Sequence, residues 1–282
     1  MSKGRTLKAI VAAGVLIAIA AIAAVGLFLF WPQLYALYEE ELIWSRKANH
    51  WHSFADGKLP LPGTPDLASF NQRLAAAGVP LGAPILVRIF KREFELEVWV
   101  KRGDQFVHFA TYPICMWSGD LGPKIKQGDR QAPEGFYMIE TKSLNPQSKY
   151  RRSFDLGFPN AFDRAHGRSG SALMVHGNCK SIGCYAMTDP VIDEIWSLAT
   201  AALGGGQKRF QVQVFPFRMT QANLDWHAHD DAAPFWRQLQ KGYDSFENEH
   251  IPPLVSVCNG AYLFRSGGGA KDGSDAIAEG CS

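Results

Sequence analysis

Hydrophobic and polar positions divide the chain into stretches of different period. Ala9 to Phe30 carries no charge over 22 residues, roughly 33 Å as a helix and enough to cross a bilayer core. From Trp31 to Phe54 aromatic and charged residues mix, which predicts a helix continuing from that span, with Trp31, Tyr35 and Tyr38 near the level of a membrane interface. Leu59-Pro60-Leu61-Pro62-Gly63-Thr64-Pro65 has the composition of a linker. Asp66 then caps a short helix carrying Leu67, Phe70 and Leu74, which Gly78 and Pro80 end. From Ile85 the period changes to two. Ile85 to Phe90 and Phe94 to Val100 alternate, and Lys101-Arg102-Gly103-Asp104 turns into Gln105 to Ile114, so antiparallel hairpins with one buried face are expected.

Further on, Gly122 to Tyr137 is turn-rich and leads into another strand. Ala172 to Val175 is an apolar run of the kind that forms a buried strand. Asp189-Pro190 is a helix start, with Ile192, Ile195, Trp196, Ala199 and Leu203 on one face and Gly204-Gly205-Gly206 as the stop. Phe210 to Phe217 alternates again. After Met219 the pattern is helical, Phe235, Leu239, Tyr243 and Phe246 recurring at helical spacing. Pro252-Pro253 precedes two short apolar runs, Leu254 to Cys258 and Ala261 to Phe264. Gly267 to Ser282 has no core-forming pattern and is expected to be disordered. The fold class is therefore mixed α+β and β-rich, with flanking helices and one N-terminal transmembrane helix. The expected divisions are 1–31 for the N-terminus and anchor, 32–80 for a helical juxtamembrane segment and linker, 81–217 for the β-rich core domain, 218–265 for a helical extension packed on it, and 266–282 for the tail.

Composition and charge narrow the class. A net charge of +2 and a charged fraction of 20% give no basis for a nucleic-acid binder. Lys3, Arg5 and Lys8 precede the apolar span and Glu39, Glu40 and Glu41 follow it, an asymmetry that leaves the N-terminus in the cytoplasm and the rest outside. Cleavage as a signal peptide at Ala21-Ile22-Ala23 is the rival reading. Either way the folded part is exported. The cysteines, Cys115, Cys179, Cys184, Cys258 and Cys281, are odd in number in a compartment that favours disulfides, so one of them is a candidate reactive thiol.

The candidate chemistry sits in Val175-His176-Gly177-Asn178-Cys179-Lys180-Ser181-Ile182-Gly183-Cys184-Tyr185. A histidine at a strand end and a cysteine in a glycine-containing turn can generate a thiolate, because an imidazole or backbone N–H groups lower the thiol pKa. Gly183 lets the backbone turn so that the N–H groups of Gly183 and Cys184 can point at the oxygen of an attacked carbonyl. Cys184 and His176 are the expected catalytic pair of an acyl-transfer site. Three readings of Cys179 stay open: a passive loop residue, a disulfide partner for Cys184, and a metal ligand together with His176, Cys184 and His166. Tyr185 and Met187 either line the pocket or pack the start of the following helix. Arg164 and Arg168 can hold a substrate carboxylate through paired N–H donors, pair internally with Asp163, or belong to a solvated loop.

This segment resembles the active-site motif of the L,D-transpeptidase (YkuD-type) catalytic domain, a His-Gly on a strand followed after a loop by Ser-His-Gly-Cys. It is most similar to the YafK-like branch, in which the loop is short and the second histidine is missing. His176-Gly177 matches the first element and Ser181-Ile182-Gly183-Cys184 the second, with Ile182 in the histidine position and Ala186 where an arginine is common. The Pro-Lys, Gly-Asp and Pro-Glu-Gly-x-Tyr of residues 123–137 form a second match, and Phe158-Pro159-Asn160 with Asp163-Arg164 a third. The resemblance implies an L,D-transpeptidase-like β-sandwich or barrel core and a Cys184 thioester formed on peptidoglycan stem peptides. It implies His176 as proton carrier, Gly183 and Cys184 as oxyanion hole with Ile182 as a further donor, and no metal or organic cofactor. Gly177, Asn178, Ser181, Tyr185, Arg164 and Arg168 are expected to bind substrate. The implied location is the inner membrane, with the catalytic domain in the periplasm. A wall-linked outer-membrane protein or lipoprotein is the further partner. Two alternatives accompany this reading: a related amidase that hydrolyses peptidoglycan-linked bonds, and a membrane-tethered wall-binding protein without turnover.

Overall fold

A computed structural model describes residues 3–267 and 277–281, the side chains of 3–13, 18, 27–30, 32, 33 and 278 lying outside that description. The first element is the helix α1, Lys3–Ala55. Residues through Arg46 form one compact unit and those from Lys47 onward another. Among the described residues no helix is long and apolar enough to cross a membrane. Much of the expected anchor, Ala9 to Phe30, falls on positions whose side chains lie outside the description.

In the second unit the period-2 stretches become strands: β1 Ile85–Phe90, β2 Glu95–Arg102, β3 Gln105–Pro113, β4 Met116–Trp117 and β5 Gly135–Ile139. Next come β6 Leu144–Asn145, β7 Ser153–Asp155, β8 Met174–His176, β9 Tyr185–Ala186 and β10 Phe210–Phe215. The helices are α2 Phe70–Ala77, α3 Ala161–Ala165, α4 Asp189–Gly204, α5 Gln221–Trp226 and α6 Ala233–Glu249, followed by β11 Leu254–Cys258, β12 Ala261–Arg265 and β13 Ala278–Glu279. One five-stranded sheet runs β3-β2-β1-β10-β5, a second β4-β9-β8-β7-β6, and a three-stranded sheet β12-β11-β13. The architecture is mixed α+β with sheets and flanking helices.

Neither face of β1 meets solvent, because every one of its residues is buried. Leu86, Arg88 and Phe90 share one face, and on that face the Arg88 guanidinium lies over the rings of Tyr243 and Phe246 at 4.6 and 4.8 Å. Helix α6 covers it with Phe235, Trp236 and Leu239, joined by Val255, Val257 and Tyr262 from the small sheet. The two larger sheets meet where Phe154 packs edge-on against Phe210 and Phe94 against Trp117.

Three parts of the chain differ from the expectation drawn from sequence. The proline-rich linker is docked rather than free: Leu61 is 1% exposed and packs with Phe54, Cys115 and Cys179. In the expected tail, Ala278 and Glu279 pair with Ser256 and Val257, and a Cys258–Cys281 disulfide fixes the end. A two-residue strand and one covalent bond leave no hydrophobic period to read, which is why composition alone suggested disorder; residues 268–276 and 282 lie outside the description. Finally, Thr188 stands at the N-cap position of helix α4 without a side-chain hydrogen bond to it, while Asp189 is the first helical residue and turns its carboxylate to the active loop.

Candidate active site

Strands β8 and β9 run parallel, with Val175 beside Tyr185 and His176 beside Ala186. Residues facing each other across a sheet share a face and successive residues alternate. Met174, His176 and Cys184 are therefore on one face, and Val175 and Tyr185, both fully buried, on the other. The register is visible at the sulfur, since the Met174 N–H donates to Cys184 Sγ at 3.4 Å. From the strand spacing and rise, the Cα atoms of His176 and Cys184 lie roughly 8 Å apart on the diagonal, and in the resting arrangement the thiol donates to the Ala172 carbonyl at 3.7 Å.

His176 is 2% exposed. Its Nδ1 lies 2.6 Å from the Gly177 carbonyl oxygen, and a carbonyl only accepts, so Nδ1 carries the proton and Nε2 is the acceptor. The Tyr150 ring stacks on the imidazole at 4.9 Å, and the Tyr150 carbonyl accepts the Gly177 N–H at 2.9 Å. Tyr150 thus holds the ring and the backbone beside it. Nothing in the sequence marked this residue, because it lies 26 positions from the histidine in a stretch without periodicity. Gly177 is required by packing: a Cβ there would come within 2.6 Å of Asp189 Oδ1 and 2.9 Å of Arg151 Cβ.

The loop from Gly177 to Cys184 is braced from several sides. Asp189 Oδ1 accepts the Asn178 N–H at 2.8 Å, and Asn178 and Cys179 both take positive φ, 69° and 47°. That left-handed turn points Cys179 into the core, where it forms a disulfide with Cys115. The pairing excludes the disulfide with Cys184 and the metal-ligand role, both left open by the sequence, and leaves Cys184 as the free cysteine among the described residues. Sequence spacing could not choose between them, because Cys115 is 64 positions away. Among the described residues no group of three or more His, Cys, Asp or Glu side chains could hold a metal ion. Closing a loop of that length restricts the unfolded chain by about 4 kcal/mol. Replacing Cys115 and Cys179 together by alanine is therefore expected to lower unfolding free energy by about that amount, read by urea denaturation. A loss under about 1 kcal/mol would show that the loop is held by packing alone.

Several expected substrate contacts are corrected by the structure. Tyr185 is fully buried, and its hydroxyl donates to the Pro133 carbonyl at 2.7 Å. Met187 is likewise buried and packs behind the loop. Arg168 pairs with buried Asp163 at 2.8 Å, and Arg164 donates to the Pro159 carbonyl and pairs with Glu279. The Arg168 guanidinium is occupied internally, as an arginine beside a buried carboxylate must be if that charge is to be matched, whereas Arg164 makes its pair with Glu279 at the surface. His166 stacks on Phe162 at 4.1 Å, in the segment that carries Asp163. Asn178 stays half-buried at the rim of the loop and Ile182 is 78% exposed.

The expected oxyanion donors are also engaged. The Gly183 N–H donates to Ser118 Oγ, and the Cys184 N–H donates to Ser181 Oγ at 3.1 Å. Gly183 has φ +112°, and a Cβ there would press on Leu173 at 3.0 Å, so glycine is needed for the turn. Electrostatics differ from the sequence expectation too. Burial pushes the Cys184 thiol above its usual pKa, a trend the Met174 N–H opposes and the Asp155 carboxylate reinforces. Burial holds the His176 imidazole below its usual value, against the opposing effect of the Gly177 carbonyl. The resting pair is thus thiol and neutral imidazole.

The sequence model of the L,D-transpeptidase catalytic domain, YkuD, matches residues 86–214. Over 200 residues the chain is 48% identical to the "Putative L,D-transpeptidase YafK" of Escherichia coli K12, a match covering 71% of this chain and 79% of that protein. The protein of the same name from Escherichia coli O157:H7 gives the same figures. Among solved structures, the helical cell shape determining protein Pgp2 of Campylobacter jejuni is similar with a TM-score of 0.39 at 16% identity, covering 69% of this chain and 82% of that one. Bd1075 of Bdellovibrio bacteriovorus is similar with a TM-score of 0.34 at 17% identity, covering 58% of each chain.

Proposed function

The chain belongs to the L,D-transpeptidase catalytic-domain family, and from that premise we propose that it is a cysteine acyltransferase working on peptidoglycan stem peptides through a thioester on Cys184. The observation that carries the reading is the placement of a free, half-buried thiol on the same sheet face as a histidine whose Nε2 is left to accept a proton. Because both groups are neutral at rest, the proton leaves sulfur as sulfur attacks. Cys184 Sγ bonds to the carbonyl carbon of the diamino acid at stem position three, and His176 Nε2 takes the thiol proton. The C–N bond then breaks, the departing amine takes that proton, and a thioester remains. In the second half an incoming amine or a water molecule gives His176 a proton and attacks the thioester. The thiolate leaves and regains the proton.

The oxyanion is served by the N–H groups of Gly183 and Cys184. Each exchanges a neutral serine hydroxyl for a charged oxygen, which accepts roughly twice as strongly. The chain acts in the periplasm, held by Ala9 to Phe30 or released by cleavage at Ala21-Ile22-Ala23. Two disulfides, Cys115–Cys179 and Cys258–Cys281, fit an oxidising compartment. An amine presented by a second stem or by a wall-linked outer-membrane protein or lipoprotein is the acceptor.

Incubation of the full-length chain with defined muropeptides, read by mass, tests the reading. New cross-linked dimers that vanish with Cys184→Ala are expected. Shortened stems or released lysine-terminated peptides that vanish with the same variant would assign the second half-reaction to water. Products that survive the substitution, or none at all with wild type, would overturn the cysteine mechanism.

A further inference from the structure

Strand β4 pairs antiparallel with β9, Met116 beside Ala186 and Trp117 beside Tyr185. Continued by one residue, that register places Ser118 beside Cys184. The Ser118 backbone is itself tethered, its carbonyl accepting the Ala132 N–H at 3.0 Å. From this fixed position the hydroxyl accepts the Gly183 N–H and lies 3.1 Å from Ser181 Oγ. Ser181 Oγ in turn lies 2.7 Å from the Cys184 carbonyl oxygen and accepts the Cys184 N–H at 3.1 Å.

Only one proton arrangement satisfies all of these contacts. A carbonyl oxygen cannot donate, so the Ser181 hydroxyl proton goes to Cys184 O. Ser181 Oγ has no second proton for Ser118, so the Ser118 hydroxyl donates to Ser181. Both backbone amides then point at serine oxygens. The result is a directional chain, from Gly183 N–H through Ser118 and Ser181 to the Cys184 carbonyl, that fixes both peptide planes around the nucleophile.

We infer that Ser118 is a positioning residue for acyl transfer: anchored between β4 and Ala132, its hydroxyl and that of Ser181 hold the Gly183 and Cys184 peptide planes beside the nucleophile until the substrate oxygen, as it becomes charged, replaces the serine hydroxyls as acceptor. The inference rests on the proposed Cys184 mechanism and adds a residue outside the His176–Tyr185 segment. A Ser118→Ala change frees the Gly183 N–H and removes the donor to Ser181, so the Gly183 amide loses its direction and Ser181 loses its brace, while the thiol and its Met174 N–H contact stay in place.

The test is the acylation of full-length wild type, Ser118→Ala and Ser118→Thr by a carbapenem, with the limiting rate and the half-saturating concentration measured separately by mass. For Ser118→Ala the limiting rate should fall by about 100-fold, the size of effect expected when a reacting geometry is displaced by about 1 Å. Half-saturation should change by less than about 3-fold, and threonine, which keeps the hydroxyl, should recover most of the rate. Alkylation of Cys184 by iodoacetamide should keep its wild-type pH profile in both variants, since that chemistry needs no oxyanion hole. A wild-type limiting rate in Ser118→Ala, a loss confined to half-saturation, or an equal loss in the threonine variant would each overturn the positioning role alone. Absence of any Cys184 adduct in wild type would overturn the parent mechanism and this inference with it.

Discussion

His176→Ala should lower the acylation rate of Cys184 by about 10²–10⁴-fold, the usual loss when a positioned general base is removed. The reason is that the resting sulfur carries its proton: burial pushes the thiol up and the Asp155 carboxylate adds to that, so the proton must pass to a base as sulfur attacks. The pH profile separates this from a folding defect. Burial depresses His176, so the imidazole is still neutral, and able to accept, below the ordinary histidine value of about 6.5. Wild-type acylation should therefore stay level through neutral pH and fall only once the medium is acidic enough to charge that ring. In His176→Ala the remaining rate should follow the thiol alone and climb without a plateau as pH passes the ordinary thiol value of about 8.5. Rates of wild type and variant measured by mass from acidic to alkaline pH check both statements. A variant within about tenfold of wild type, with the same acid limb, would remove His176 from the mechanism.

Lys91→Met is expected to destabilise the fold by about 3–5 kcal/mol, the cost typical of leaving a buried charge without its partner. Lys91 is fully buried, and its ammonium donates to Glu134 Oε1 at 2.8 Å and to the carbonyls of Asp120, Gly122 and Ala132 at 2.6, 3.1 and 3.2 Å. Glu134 in turn accepts the Gly122 N–H at 2.7 Å and Trp236 Nε1 at 2.8 Å. This hub gathers residues 120–134 around one ion pair, next to Ser118 and the Gly183 turn. Removing the cation strands the Glu134 carboxylate and three carbonyl oxygens. Removing both charges as Lys91→Met with Glu134→Gln should recover part of the loss, because an uncharged pair owes less to desolvation. Urea unfolding of the single and double variants measures this; a single-variant loss below about 1 kcal/mol would mean that water or a rearranged side chain replaces the pair.

How much of this was legible in the sequence depended on whether the interaction was local. The strands from Ile85 to Gln105 and helix α4 were located because alternation and helical spacing are local signals, although β1 is buried on both faces rather than the one that alternation suggested. Cys184 and His176 were singled out because both lie in one short segment with glycines. The contacts that hold that segment come from far away: Ser118, Tyr150, Cys115 and the Pro133 carbonyl each reach it from another strand or loop, and no local period encodes them. Arg164 and Arg168 stayed open in the sequence because an arginine looks alike whether it faces a ligand, a buried Asp163 or solvent. The direction of the Cys184 pKa was missed for a related reason. The neighbours that lower a thiol pKa could be named from sequence, whereas the burial that outweighs them is a property of the packed fold. The docked Leu61 and the Cys258–Cys281 closure show the same limit in segments whose composition suggested freedom.

The most direct test of the central claim is the site of covalent capture. The full-length chain is treated with a carbapenem and the adduct located by intact mass and peptide mapping. One adduct per chain on Cys184, absent from Cys184→Ala, is the predicted result. No adduct, or an adduct at any other residue, would contradict the account.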